Sequence, residues 1–174
     1  MHIRVVPPNP AWKSDFETEG KRITQALGEI VVVLHHIGST SIPGIYAKPI
    51  IDFLLEVDDI ARLDDKQPVM EQLGYEGLGE FGIPGRRYFR KNNAAGVRTH
   101  QVHAFQAGSP EIERHLAFRD YMIAHPAAAQ NYSALKQKLA EAHPYDIEAY
   151  MDGKDPFIKE HQAKAVAWYR DKQT

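Results

Sequence analysis

The chain has 174 residues, 43% of them hydrophobic and 25% charged, with 21 Lys and Arg against 23 Asp and Glu and a formal net charge of −2. That is the make-up of an ordinary globular protein; it excludes a disordered, collagen-like or coiled-coil chain and argues against nonspecific duplex binding as the main task. Cysteine is absent, which removes disulfides, thiolate metal sites and cysteine nucleophiles.

The opening, MHIRVVPPNPAW, lacks the apolar core of roughly 7–15 residues that a signal peptide carries. The apolar run Ile30–Leu34 is far below the roughly 20 residues of a membrane span, so a cytoplasmic chain is expected. One domain, 1–174, is the default at this length. Residues 10–28 read as a helix with Trp12, Phe16, Ile23 and Leu27 on one broad face, ending at Gly28. Ile30–Leu34 is continuous and mostly β-branched, the pattern of a strand buried on both faces, and it runs into His35-His36-Ile37-Gly38-Ser39-Thr40-Ser41. A second apolar run, IIDFLLEV at 50–57, is interrupted by Asp52 and Glu56. A helix is expected from a cap at Asp58 or Asp59 to Leu73, with Gly74 as its stop and Pro68 breaking or delaying it. Tyr75–Phe81, Arg86–Lys91 and Val97–Phe105 read as strands separated by FGIPG and NNAAG turns. Ser109-Pro110 opens a helix to about Ala124. Ala128, Tyr132, Leu135 and Leu139 mark a second. A third is expected to start with Asp155 as cap and Pro156 in its first turn, and to end with Trp168 and Tyr169 packed inward. The fold class is α+β: a mixed β-sheet flanked by helices, with a helical C-terminal third.

The chemistry is concentrated in His36–Val57. Gly38 and Ser39 end a strand and let a ligand approach the backbone closely. With Ser39 as the cap of a short helix, N–H groups and the hydroxyls of Ser39, Thr40 and Ser41 would hold an anion. Asp52 sits on an otherwise apolar strand, where an ionised carboxylate is costly unless it meets a metal, a cation or hydrogen bonds. Lys48, just before Pro49, is a candidate for an anionic ligand.

These residues resemble the nucleotidyltransferase-fold superfamily, and HIGSTSIPGIYAKPIID resembles its GrpB-like family more narrowly. The resemblance continues in Arg87–Lys91, in His100-Gln101-Val102-His103 and in residues 115–140. It implies a nucleotidyltransferase-like sheet, nucleotidyl or phosphoryl transfer, and Gly38 and Ser39 on the phosphates of a nucleoside triphosphate. It also implies Mg²⁺ or Mn²⁺ on paired acids, a third carboxylate on a later strand, and an acceptor that RNA could supply.

This sequence departs from that pattern. Asp52 matches the first acid, but Leu54 stands where the second belongs. Glu56 shares their face of the strand, roughly 6.6–6.8 Å beyond Leu54. Val97–Phe105 contains no acid. His100 and His103, three apart on a strand, face opposite ways; His103 is the better candidate to join Asp52 as catalytic residue and metal ligand, and His36 is another. Glu80 is a possible substitute acid. Arg86, Arg87, Arg90 and Lys91 form either a charge-protected edge or a phosphate clamp, to which Arg87 is assigned. Against each functional role stands a plain one: a turn at Gly38, a structural ion pair at Asp52, a solvated Lys48, a hydrogen-bonded histidine. Three readings follow: a metal-dependent transferase; a nucleotide- or phosphate-binding module that kept the pocket and lost the chemistry; and a hydrolase using a transition metal on Asp52, His36 and His103.

Overall fold

The computed structural model describes residues 2–173, which form two compact units. The sheet unit comprises Pro10–Gly38 and Ile50–Ile112; the helical unit comprises residues 2–9, Ser39–Pro49 and 113–173.

In the sheet unit, α1 (Ala11–Leu27) is followed by a short 3-10 turn and β1 (Val31–Ile37). Then come β2 (Ile51–Val57), α2 (Ile60–Asp65), α3 (Gln67–Gln72), β3 (Glu76–Gly77), β4 (Arg87–Asn92) and β5 (Arg98–Gln106). The sheet order is β1-β2-β5-β4-β3, with β2 and β5 parallel and every other neighbour antiparallel. This is the expected mixed sheet.

Side chains alternate across it, apart from register shifts at Val31–Val33 and Lys91–Asn92. Leu34, Phe53, Val102 and Phe89 point to one face, where Phe16 of α1 stacks on both His36 and Phe53. Gly20 allows α1 to lie close, since a Cβ there would be 3.2 Å from Leu34 Cδ2. On the same face the carboxylate of Glu19, 6% exposed, accepts hydrogen bonds from Tyr75 Oη at 2.7 Å, Lys91 Nζ at 2.8 Å and Arg22 Nη1 at 2.9 Å. Burial opposes the charge of Glu19, but the bonds from Lys91 and Tyr75 win and hold its carboxyl below the usual value. Burial and the adjacent carboxylate push the Tyr75 hydroxyl well up.

The helical unit contains most of α4 (Pro110–Ala124) with α5 (Pro126–Ala142) and α6 (Ile147–Lys172). The segment 39–49 is fastened to α5: Ser133 Oγ accepts from Tyr46 N at 2.8 Å, and Gln130 Nε2 donates to Gly44 O at 3.0 Å. Ile42, Ile45, Met122, Ala129 and Tyr132 form the unit's apolar core, with Phe157 stacked on Tyr132 at 5.1 Å. α5 and α6 cross closely, and any Cβ on Gly153 would strike Leu139.

Several expectations change. β1 is an edge strand with Val32 55% exposed, not a strand buried on both faces; its β-branched run pairs on one side only. The strand at Tyr75–Phe81 shrinks to Glu76–Gly77, because Gly79, Phe81 and Gly82 adopt positive φ, which a pleated strand does not permit. The helix after Asp59 is broken in two, with Pro68 in the first turn of the second piece. Pro156 lies inside α6 rather than opening a helix. The true cap is Asp146, whose Oδ1 accepts from Ala149 N at 3.1 Å, and the helix runs through the proline. Trp168 meets Tyr121 and His125 edge-on.

Candidate functional site

The other face of the sheet carries the polar groups. The pairing Ile37↔Asp52 places Asp52 beside the end of β1, so the chain leaves the strand against its carboxylate. Gly38, at φ +75°, fits this position for two reasons. L side chains rarely adopt that backbone, and a Cβ would be 2.5 Å from Asp52 Oδ2.

Across the parallel pair, His103 Nε2 lies 3.1 Å from Asp52 Oδ1. On its far side His103 Nδ1 is 3.4 Å from Arg86 Nη1. A guanidinium only donates, so Nδ1 is the acceptor and Nε2 carries the proton that His103 donates to Asp52. Arg86 is positioned by loop carbonyls: its Nε donates to Glu80 O at 3.1 Å and its Nη2 to Phe81 O at 2.8 Å. It lies 4.9 Å from the centre of the Tyr88 ring, which in turn packs against His103 at 5.5 Å. Burial pushes the Tyr88 hydroxyl above its ordinary value, and the Asp52 charge adds to this against the surrounding arginines. Asp52 and His103 are 21% and 14% exposed, so the pair stays within reach of a ligand.

The remaining sequence candidates are placed as follows. His100 and His36 face the α1 side, stacked on Phe53 and Phe16, so Asp52, His36 and His103 do not converge and the hydrolase reading has no site. Glu56 is 2.6 Å from His35. Glu80 Oε2 closes its own turn by accepting from Gly85 N at 2.6 Å. Arg87 makes a two-pronged pair with Asp64 at 2.6 and 3.1 Å, on the face away from His103, and this pair holds the Asp64 carboxyl low. Arg90 pairs with Glu76 and Lys91 with Glu19. Of these four cations it is Arg86 that meets His103. Ser39, Thr40 and Ser41 form a single 3-10 turn of the helical unit, with Ile42 N donating to Ser39 O at 3.1 Å; this is too short to supply a helix dipole. Lys48, also in the helical unit, points its Nζ over the Tyr150 ring at 5.1 Å.

The residues do not fit a two-metal centre. Leu54 is fully buried, Glu56 is held by His35, and Asp52 is the one carboxylate beside an imidazole whose other nitrogen faces a fixed cation. Mg²⁺ demands hard oxygen ligands in octahedral array. Among the described residues no group of three or more His, Asp or Glu side chains converges to hold a metal ion. A separate recess of about 280 Å³, lined by Asp120, Ile123, Trp168 and Tyr169 among others, contains none of the expected site residues.

Fold and site define an α+β domain with a glycine–carboxylate contact at the end of its first strand and a carboxylate–imidazole–guanidinium row across the sheet. The chain belongs to the GrpB family, whose model, described as GrpB protein, matches residues 2–164. It is 45% identical over 166 residues to the UPF0157 protein YqkA of Bacillus subtilis, covering 95% of this chain but only 48% of that relative's length. The crystal structure of the conserved protein GrpB from Enterococcus faecalis superposes with a TM-score of 0.91 at 47% identity, covering 95% of this chain and 99% of that one. A much weaker likeness, TM-score 0.48 at 10% identity over 76% of this chain and 45% of the other, is to the Cid1 poly(U) polymerase, and it carries no argument about this site. Among the described residues no helix is long and apolar enough to cross a membrane.

Proposed function

We propose that this chain is a nucleotide- or phosphate-ester-binding module of nucleotidyltransferase ancestry, in which the polar face of the sheet receives the ligand and two-metal chemistry has been lost. The observation that carries this reading is that Asp52 is engaged by His103, itself backed by Arg86, while Leu54 fills the place of a second acid. Arg86 supplies a preorganised cation for a phosphate oxygen. Phe81, 49% exposed and edge-on to Tyr88 at 5.2 Å, offers a face on which a base would stack. Gly38 lets the Asp52 carboxylate sit against the end of β1.

A second reading, nucleotidyl or phosphoryl transfer with a protein or RNA acceptor, draws on the same Asp52–His103 pair as proton acceptor. The two separate in one experiment: thermal unfolding with each of the four ribonucleoside triphosphates, with and without Mg²⁺ or Mn²⁺, in the wild type, Asp52→Asn and Arg86→Ala, with pyrophosphate release followed in parallel. A ligand at about 100 times its dissociation constant adds about 2.7 kcal/mol of stability. Metal-independent stabilisation, lost in Arg86→Ala and without pyrophosphate release, is the expected result. Pyrophosphate release that requires metal and Asp52 replaces the module reading with the transferase. No stabilisation by any triphosphate removes the nucleotide from both.

A further inference from the structure

The helical unit holds a cluster that the sheet-face site does not use. Lys136 of α5 is only 2% exposed, and its Nζ has no hydrogen-bond partner among the described residues. Its nearest support is the Tyr132 ring one turn earlier, 4.6 Å from Nζ to the ring centre. The charges acting on Lys136 are those of Lys154, on α6, and Lys48, on the segment 39–49, both cations. Those two lysines in turn flank one aromatic ring: Lys154 Nζ lies 5.0 Å and Lys48 Nζ 5.1 Å from the centre of Tyr150. Tyr150 is fully buried, and its hydroxyl likewise has no hydrogen-bond partner among the described residues. Among the described residues, the two charges that act on Lys136 most are thus of its own sign.

A buried ammonium without hydrogen bonds is among the least favourable arrangements in a protein interior, and further cations beside it make it worse. Burial first, then Lys154 and Lys48, push the Lys136 amine down to about 7. Both effects favour the neutral amine in the ligand-free protein. An amine and a phenol hydroxyl, both buried without hydrogen-bond partners among the described residues and flanked by two further lysines, are complementary to one chemical class, a multiply charged oxyanion. Such a ligand would hold the Lys136 amine in its charged form, accept a hydrogen bond from Tyr150 and offset the repulsion among the three lysines.

We infer that Lys48, Lys136, Lys154 and Tyr150 form an anion site of the helical unit that takes an oligophosphate or a doubly charged phosphate ester. This goes beyond the sheet-face reading and does not depend on it, because every member belongs to the helical unit. The sequence signal was the position of Lys136 four residues after Tyr132, on the stripe that α5 turns inward.

The test uses the whole protein at neutral pH, titrated with inorganic phosphate, tripolyphosphate and ATP against potassium chloride of equal ionic strength. Affinity is read by calorimetry and by the unfolding midpoint, in the wild type, Lys136→Met, Lys154→Gln and Arg86→Ala. Tripolyphosphate is expected to raise the wild-type midpoint above chloride. Lys136→Met, freed of an unpaired buried amine, should unfold at a higher temperature than wild type without anion, yet bind tripolyphosphate ~10–100-fold more weakly. Lys154→Gln should weaken binding in the same direction, and Arg86→Ala should leave it intact. On the unmodified protein, the Lys136 amine, followed through its side-chain NMR signal, should titrate at higher pH once tripolyphosphate is added; this readout serves even if Lys136→Met fails to fold. A response to ATP but not to tripolyphosphate would overturn the inference, as would a tripolyphosphate response no larger than that of chloride. So would a response lost in Arg86→Ala but kept in Lys136→Met, which would assign the anion to the sheet face instead.

Discussion

Replacing Gly38 with alanine tests whether the glycine of the motif is there for its backbone or for its closeness to Asp52. Two costs add. An L residue at φ +75° pays roughly 1–2 kcal/mol of backbone strain. The new Cβ also sits 2.5 Å from Asp52 Oδ2 and 3.1 Å from its Cβ and Cγ, so Asp52 must turn away. Turning away breaks the contact with His103, and a hydrogen bond to a charged group is worth about 1.5–3 kcal/mol. The sum is about 2.5–5 kcal/mol, or on the order of 10 °C in midpoint for a chain of this size. Gly96 supplies the control: it too has positive φ, +80°, but nothing lies within 4 Å of its Cβ position, so Gly96→Ala should show the strain cost alone. Urea unfolding of Gly38→Ala and Gly96→Ala, in wild-type and Asp52→Ala backgrounds, measures the difference. Most of the excess cost of Gly38→Ala should disappear when Asp52 is alanine, because the 2.5 Å carboxylate contact goes and only the 3.1 Å approach to the Cβ of residue 52 stays. Equal losses for the two glycines in the wild-type background would refute the argument, and Gly38 would then be only a turn residue.

The buried Glu19 makes stability pH-dependent. Its folded carboxyl is held below the unfolded value of 4.5, so the contribution is fully present above that value and is lost as pH falls through the folded one. Lys91→Met leaves Glu19 buried with Tyr75 and Arg22 alone. It should cost about 3 kcal/mol near neutrality and much less in acid, as read by urea midpoints from roughly pH 3 to 7; a loss independent of pH would contradict the assigned charge. Pro156→Ala restores a backbone donor inside α6 and should stabilise the protein by about 1–3 kcal/mol; a lower midpoint would show that the proline relieves strain instead. Leu54→Asp, which rebuilds the paired-acid pattern, places a charge at a fully buried position and should cost about 3 kcal/mol or more without creating Mg²⁺-dependent stabilisation. A metal-dependent gain in that variant would show that the site still accommodates the ion.

Short-range signals in the sequence were read well where local chemistry decides the structure. The Ser109-Pro110 start of α4 and the break at Pro68 fall where expected. The alternation that separates His100 from His103 follows from strand geometry alone, and it placed His103 with Asp52. Readings failed where one local pattern serves two contexts. Asp155-Pro156 looks like a cap and first-turn proline, but Asp146 had already started the helix, and neither residue carries information about what precedes it. The basic run at 86–91 announced a cation for the site without saying which one. That depended on loop carbonyls of Glu80 and Phe81, which orient Arg86, and on Asp64, which claims Arg87.

The lysine cluster escaped for a different reason. Lys48, Lys136 and Lys154 are far apart in the chain, and Lys48 alone reads as a solvated side chain. Their convergence is created when segment 39–49, inserted between β1 and β2, packs on α5 through Tyr46, Ser133, Gly44 and Gln130. The same insertion explains why Gly38 and Ser39, adjacent in the motif, serve different units: Gly38 ends the sheet strand against Asp52, while Ser39 begins the segment that carries Lys48 to Tyr150. A motif that looks like one phosphate loop is thus divided: Gly38 and Asp52 belong to the sheet unit, and Ser39, Thr40, Ser41 and Lys48 to the helical unit. Nucleotide and oligophosphate titrations of Arg86→Ala and Lys136→Met therefore report on the sheet unit and the helical unit separately. Tripolyphosphate binding weakened in Lys136→Met and kept in Arg86→Ala is the expected result; a loss in Arg86→Ala alone would return the anion to the sheet face.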